Sequence, residues 1–332
     1  MRVLLVIGCL VVIAGCTLGR ATFAEDQLET EWNSYKSEFG KIYDESEEWL
    51  RKLIFRDNKK IIDAHNERWA AGDESYEMGL NQFSDMLPKE ISERLGTDAE
   101  IGLDEDVEVD MESYDWSDYG DFKMVPSVNW THMGAVTPVA FQGHFNSSWA
   151  FAAAGVTESR QFLKSGKLPV LSKQNLVDCC RGNDNMVPRA LVCIKKLGGI
   201  DTEESYPYRG LTGKCSFKRK YVGARIDKIF RVNPGNEQAL ARSVTRGPIA
   251  AVISFTGLMH YKSGVYNDPH CGEKSNYAVL IVGYGHCKHF GDYWILKTSL
   301  GPHWGENGYL RLARNKNNLC GIANNALYPE VV

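Results

Sequence analysis

The chain predicts an α+β protein in which helices come first and strands follow. Three observations carry that reading. Trp32, Tyr35, Phe39 and Tyr43 recur every three or four positions, the repeat of one helix face. Ser147 and Ser148, two hydroxyls able to cap a helix, precede the apolar run Trp149, Ala150, Phe151. Beyond Gly247, the stretches Gly247–Phe255, Ala278–Gly285, Asp292–Lys297 and Gly308–Arg314 read as strands, the first rich in Ile and Val. Helical segments followed by a run of strands imply α+β architecture.

The chain begins with Arg2, the apolar run Val3–Ala14 and then small residues. This reads as a secretory signal over residues 1–24, too short and wrongly flanked for a membrane span. It directs the chain to the secretory pathway, and so to the extracellular space or lysosome. The remaining length, out of 332 residues, suffices for one large domain and a smaller one. The 43% hydrophobic content is that of a folded globular protein, and the net charge of −4 suggests no nucleic-acid partner. Of nine cysteines, Cys9 and Cys16 would leave with the signal. The odd remainder, in an oxidising compartment, implies some pairing and at least one thiol left over. No CxxC or His/Cys spacing suggests zinc, and no cofactor is expected.

A second helical register follows the aromatic one: Glu47, Arg51, Phe55, Asn58, Ile62 and Asn66, spaced by four and three residues. Taken alone it is the register of any amphipathic helix. Glu100–Asp121 holds ten acidic residues and no basic one, the composition of a solvated, mobile linker.

These six residues match, at every position, the E-R-F-N-I-N pattern of the inhibitory propeptide of cathepsin L-like peptidases. Gly79, Asn81, Phe83 and Asp85 match its G-x-N-x-F-x-D element, in order and at the expected separation. Gln142–Phe151, reading QGHFNSSWAF, resembles the nucleophile segment Q-G-x-C-G-S-C-W-A-F of the papain family. From Val125 onward the resemblance to cathepsin L is nearly continuous, including Leu171–Cys179 and Glu203–Tyr208. It implies a papain-like fold, a helical lobe and a barrel-like lobe with a cleft between them. A helical propeptide (25–95) would run through the cleft in reverse, and a processing linker (96–124) would precede a papain-like domain (125–332). It also implies the disulfides Cys179–Cys215 and Cys271–Cys320. A third family bridge would need cysteines at Phe145 and about Gly182, and neither is present. Cys180, Cys193 and Cys287 then read as small buried hydrophobes or one extra bridge.

The catalytic positions depart from the family together. Ser148 stands at the attacking cysteine, Tyr277 at the histidine, and Thr298 at the asparagine of K-N-S-W-G. Only Gln142, the side-chain donor of the oxyanion hole, is retained. A cysteine is activated by a thiol pKa pulled down from about 8.5, whereas a serine hydroxyl needs a general base within hydrogen-bond reach. A tyrosine, with an ordinary pKa near ~10, is a poor base at secretory or lysosomal pH. His144 and His303 lie near in sequence, and the family backbone gives neither a reason to face Ser148. Asn146, Asp184 and Asn185 stand where the family uses cleft glycines, and Leu300 where it uses a shielding tryptophan. The leading reading is a pseudopeptidase rather than an enzyme. It would bind its own propeptide and then peptides, peptidase inhibitors or active cathepsins. Two others stand beside it: a hydrolase centred on Ser148, and a templating protein of silicatein type, silicateins also carrying serine at the cysteine position.

Two glycosylation sequons occur, Asn129-Trp130-Thr131 and Asn146-Ser147-Ser148. Asn129, at the start of the papain-like domain, is expected to be occupied. Asn146 is expected to stay largely unmodified, because a glycan there would collide with a propeptide in the cleft. Glycopeptide mapping checks both, and a well-occupied Asn146 in a stable proform would contradict that docking.

Overall fold

The computed structural model describes residues 25–97, 125–180, 186–272 and 274–332, together with the backbone of 111–113. The signal segment, nearly all of the acidic linker, Gly182, Asp184 and Asn185 lie outside the described residues. The N-terminal region is built on two helices, α1 (residues 25–39) and α2 (Glu45–Ala71). Asp44 caps α2 by accepting from the Ser46 and Glu47 amides, and Gly72 ends it at φ 86°. Trp32, Tyr35 and Phe55 form a small buried cluster between the two helices, with Phe39 and Tyr43 packed against it. Tyr43 lies past the end of α1, yet its ring still stacks on Trp32 at 6.1 Å. The aromatic repeat thus spans a helix and the turn that follows it.

The second register lies on α2, where four of its six members, Arg51, Phe55, Asn58 and Ile62, are buried. Its polar members hold the chain that comes next. Arg51 donates to the Asp85 carbonyl at 3.2 Å and pairs with Glu90 at 2.8 Å. Asn58 donates to the Ser84 carbonyl at 2.9 Å, and Asn66 bonds both the amide and the carbonyl of Met78. Buried polar groups must be hydrogen bonded, and here they bind an otherwise irregular backbone that has few partners of its own.

That backbone crosses the C-terminal domain. Strand β1 (Tyr76–Met78) pairs antiparallel with β8 (Tyr261–Tyr266), Tyr76 opposite Gly264. A side chain at Gly264 would meet the Ser75 carbonyl at 2.6 Å, so this close approach requires glycine. Gly79 then donates to the His260 carbonyl, Asn81 to Met259 and Gln82 to Leu300. Helix α3 (Pro88–Leu95) follows, and the Thr97 carbonyl accepts from Asn276 at 2.8 Å. Tyr76, Phe83, Met86, Ile91 and Leu95 belong to the same apolar cluster as Tyr277, Leu300 and Trp304.

The C-terminal domain has two lobes, as expected. One is helical: α4 (Ser148–Ser165), α5 (Lys173–Cys179) and α6 (Val187–Leu197). The other is a sheet including β7 (Ile249–Ile253), β9 (Tyr277–Cys287), β10 (Gly291–Lys297), β11 (Tyr309–Ala313) and β12 (Asn325–Val331). Its order is β1-β8-β11-β10-β9-β7-β12-β6-β2, where β6 is Ile226–Arg231 and β2 is Met111–Ser113; β3 (Val128–Asn129) pairs with β9 off this path, and β4 (Ile200–Asp201) and β5 (Val222–Ala224) form a separate pair. Strand β2 pairs parallel with β6. This stretch of the acidic segment therefore is not merely a solvated linker, because it covers backbone groups on a sheet edge. Helix α4 packs against β9 and β12 on one side and α6 on the other, joining the lobes. Cys179–Cys215 and Cys271–Cys320 are bridged, Cys180–Cys193 forms a third bridge, and Cys287 is the free thiol among the described residues. No helix among the described residues is long and apolar enough to cross a membrane.

Phe83 is fully buried between the N-terminal region and the sheet lobe. Phe83→Ala is expected to weaken that docking by about 3–5 kcal/mol. Limited proteolysis should then cut the 76–97 segment much faster than in the wild type, with the papain-like domain still intact.

Candidate functional site

The site forms where the N-terminus of α4 meets the start of β9. Ser147 takes the N-cap position of α4, but its side chain caps nothing. Its hydroxyl instead bonds Tyr208 at 2.7 Å and the Phe145 carbonyl at 3.1 Å. Tyr208 in turn donates to the Gln142 carbonyl at 2.8 Å. The expected cap is thus replaced by a brace that fixes the loop 142–147 from the helical lobe.

Ser148 is the first residue of α4 and is 1% exposed. Its hydroxyl oxygen accepts from the Ala278 backbone amide at 3.2 Å. Among the described residues, no imidazole or carboxylate is hydrogen bonded to it. His144 lies edge-on to Phe141 and 3.5 Å from Arg94, and burial, aided by the Arg94 charge, holds its pKa below the usual histidine value. His303 is exposed and lies edge-on to Phe39 of α1.

Tyr277 opens β9 and is fully buried, its ring 4.9 Å from that of Phe255. Its hydroxyl meets Ser299 Oγ at 2.9 Å and donates to Gln142 Oε1 at 3.2 Å. Ser299 Oγ also donates to Gln142 Oε1, at 2.6 Å. With the Ser299 proton on Gln142, the single Tyr277 proton is shared between Ser299 Oγ and Gln142 Oε1, and the three side chains close a triangle out of contact with water. Burial pushes the Tyr277 phenol well above the ordinary tyrosine range, so it is a donor at every physiological pH.

Gln142 is wholly buried too. Its amide nitrogen donates to the Phe145 carbonyl at 3.0 Å while its oxygen serves the triangle. One N–H of the side chain is therefore already spent inside its own loop. Thr298 donates to the Gly308 carbonyl at 2.9 Å and is not bonded to Tyr277. Leu300 is 1% exposed and belongs to the cluster that contains Tyr277 and Phe255.

The groove side is filled by the N-terminal region. Gly96, at φ +72°, lies so close to Asn146 that a Cβ on it would fall 1.9 Å from the amide of that side chain. The Leu300 carbonyl takes the Gln82 amide at 2.7 Å. The structure thus brings Gln142, Ser148 and Tyr277 into one small volume with Asn146 and Leu300 at its edge, while Thr298 serves the turn to Gly308. Sequence reasoning passed over Ser299, the corner of the triangle. The available signal was that Ser299 keeps the serine of K-N-S-W-G while its neighbours on both sides change.

Comparison with known proteins places these features in a family. Residues 124–330 match the family described as Papain family cysteine protease, and residues 32–91 match the Cathepsin propeptide inhibitor domain. The chain is 38% identical to a cathepsin L of Sarcophaga peregrina over 96% of its own length and 98% of the relative. It is 36% identical to cathepsin L2 of Homo sapiens, over 96% and 98%. Among solved structures, a digestive procathepsin L2 proteinase from the Tenebrio molitor larval midgut superposes with a TM-score of 0.85. That similarity carries 34% identity and covers 91% of this chain and 99% of the other. The two-lobed domain, the docked N-terminal region and these similarities together show that the chain belongs to the papain family, as a cathepsin L-like member with its propeptide.

Proposed function

We propose that this chain is a secreted or lysosomal cathepsin L-like pseudopeptidase, which acts by binding peptides, peptidase inhibitors or active cathepsins. The observation that carries the reading is the closed Tyr277–Ser299–Gln142 triangle. It occupies the place of the family's base with a phenol that donates and has no proton vacancy to offer. Ser148, the nucleophile position, faces a backbone amide that takes up a lone pair on its oxygen. In a well-studied serine protease, loss of the nucleophile or base alone costs on the order of a millionfold in kcat. Here nucleophile, base and orienting residue are all changed. The groove positions Asn146, Asp184, Asn185 and Leu300 support selection of ligands unlike those of the active relatives.

Purified protein freed of its N-terminal region is expected to show no turnover of dipeptide or protein substrates from acid to neutral pH. A fluorophosphonate serine probe should not label it. Turnover or labelling that disappears in Ser148→Ala would overturn the reading and favour a Ser148-centred hydrolase.

The triple change Ser148→Cys, Tyr277→His, Thr298→Asn should restore a thiol at a helix N-terminus beside an imidazole. Alkylation by iodoacetamide at acid pH is expected to return. Peptide cleavage should remain roughly a hundredfold or more below that of active relatives, because the scissile carbonyl must also be held in register. Asn146 at the groove edge and the Phe145-directed amide of Gln142 both disturb that register. Measuring kcat/KM beside the labelling rate separates the two effects. Full cleavage would mean that only the triad was lost.

A further inference from the structure

At the opposite end of α4, about 18 Å along the helix from Ser148 at 1.5 Å per residue, lies a cavity of about 470 Å³. Its apolar wall is the stacked pair Phe230 and Tyr328, whose rings are 5.2 Å apart and which face each other across β6 and β12, together with Leu163. Its polar lining is strongly basic: Arg160, Lys164 and Arg246 against one carboxylate, Glu330. Glu330 stands opposite Lys228 in the strand register, which offsets its charge.

The Arg160 guanidinium lies 4.3 Å from the centre of the Tyr328 ring. It donates to the Arg246 and Pro248 carbonyls at 3.3 Å, while its Nε is buried with no partner among the described residues. An arginine carries five donors, and these carbonyls take one N–H from each terminal nitrogen, leaving a second N–H on each. Lys164 gives one of its three N–H groups to the Val331 carbonyl at 2.8 Å. The volume falls in the range of small-molecule sites, which pair apolar walls with a few convergent polar groups. We propose that this cavity binds a small aromatic acid: a flat apolar body lies along Phe230 and Tyr328, and its carboxylate or sulfonate meets Arg160, Lys164 and Arg246. The site is separate from the cleft and does not depend on whether the cleft is catalytic.

The probe is anilinonaphthalene sulfonate, titrated by fluorescence into the full chain. Saturable binding is expected, weakened about tenfold or more by the double change Lys164→Glu, Arg246→Glu, since charge-assisted contacts are the strong ones. The neutral analogue phenylnaphthylamine should bind about tenfold or more weaker than the sulfonate. Hydrogen exchange on the wild-type protein, which needs no variant to fold, should show the sulfonate protecting the C-terminal half of α4 and strand β12. Three results would overturn the proposal: no saturable binding, equal affinity for the neutral analogue, or protection elsewhere on the chain. Unchanged affinity in a folded double variant would do the same.

Discussion

A phenol hydroxyl sealed from water must find its hydrogen bonds in the protein, and the arrangement of the cleft follows from that need at Tyr277. With Phe255 against its ring, Tyr277 directs its hydroxyl to Ser299 and Gln142. Ser299 completes the triangle through the Gln142 oxygen, and the other end of that amide is turned to the Phe145 carbonyl. The loop carrying Gln142 is thereby fixed from below by the triangle and from the side by Tyr208 and Ser147. Ser148 is left at the head of α4 with a backbone N–H as its partner.

The N-terminal region is held by the same economy of buried polar groups. Arg51, Asn58 and Asn66 sit on the inward face of α2 because the segment from Met78 to Met86 forms few backbone bonds of its own. Asp85, itself fully buried, accepts from the Lys41 ammonium at 2.9 Å and from the hydroxyl of Tyr43. Apolar packing then merges this segment with the sheet lobe, since Phe83 and Met86 share a cluster with Leu300 and Trp304. Leu300 takes part in both systems: its side chain belongs to the apolar cluster that contains Tyr277, and its carbonyl holds Gln82. The substitutions around the site therefore fit the docked segment as well as each other.

Much of this organisation was legible in the residues themselves. Helical repeats over 32–39 and 47–66, the strand runs after Gly247 and two of the three described bridges reflect local periodicity and family pattern, which survive in a linear reading. Serine, tyrosine and threonine at 148, 277 and 298 are legible there too, because each is a difference of side-chain type within a recognisable motif. What a linear reading does not contain is where a side chain turns once its usual partner is gone. The cap expected of Ser147 went to Tyr208, a residue 61 positions away that the local sequence cannot bring near. Gln142 kept its identity while its amide was drawn to Phe145, and Ser299 acquired its importance only from a tyrosine 22 positions earlier. Of the two thiols open to Cys180, Cys193 is its partner through the proximity of α5 and α6. Residue type and spacing determined which groups this protein has to satisfy. Only the tertiary structure decided which groups satisfy them, because buried hydrogen bonds are settled between segments distant in sequence.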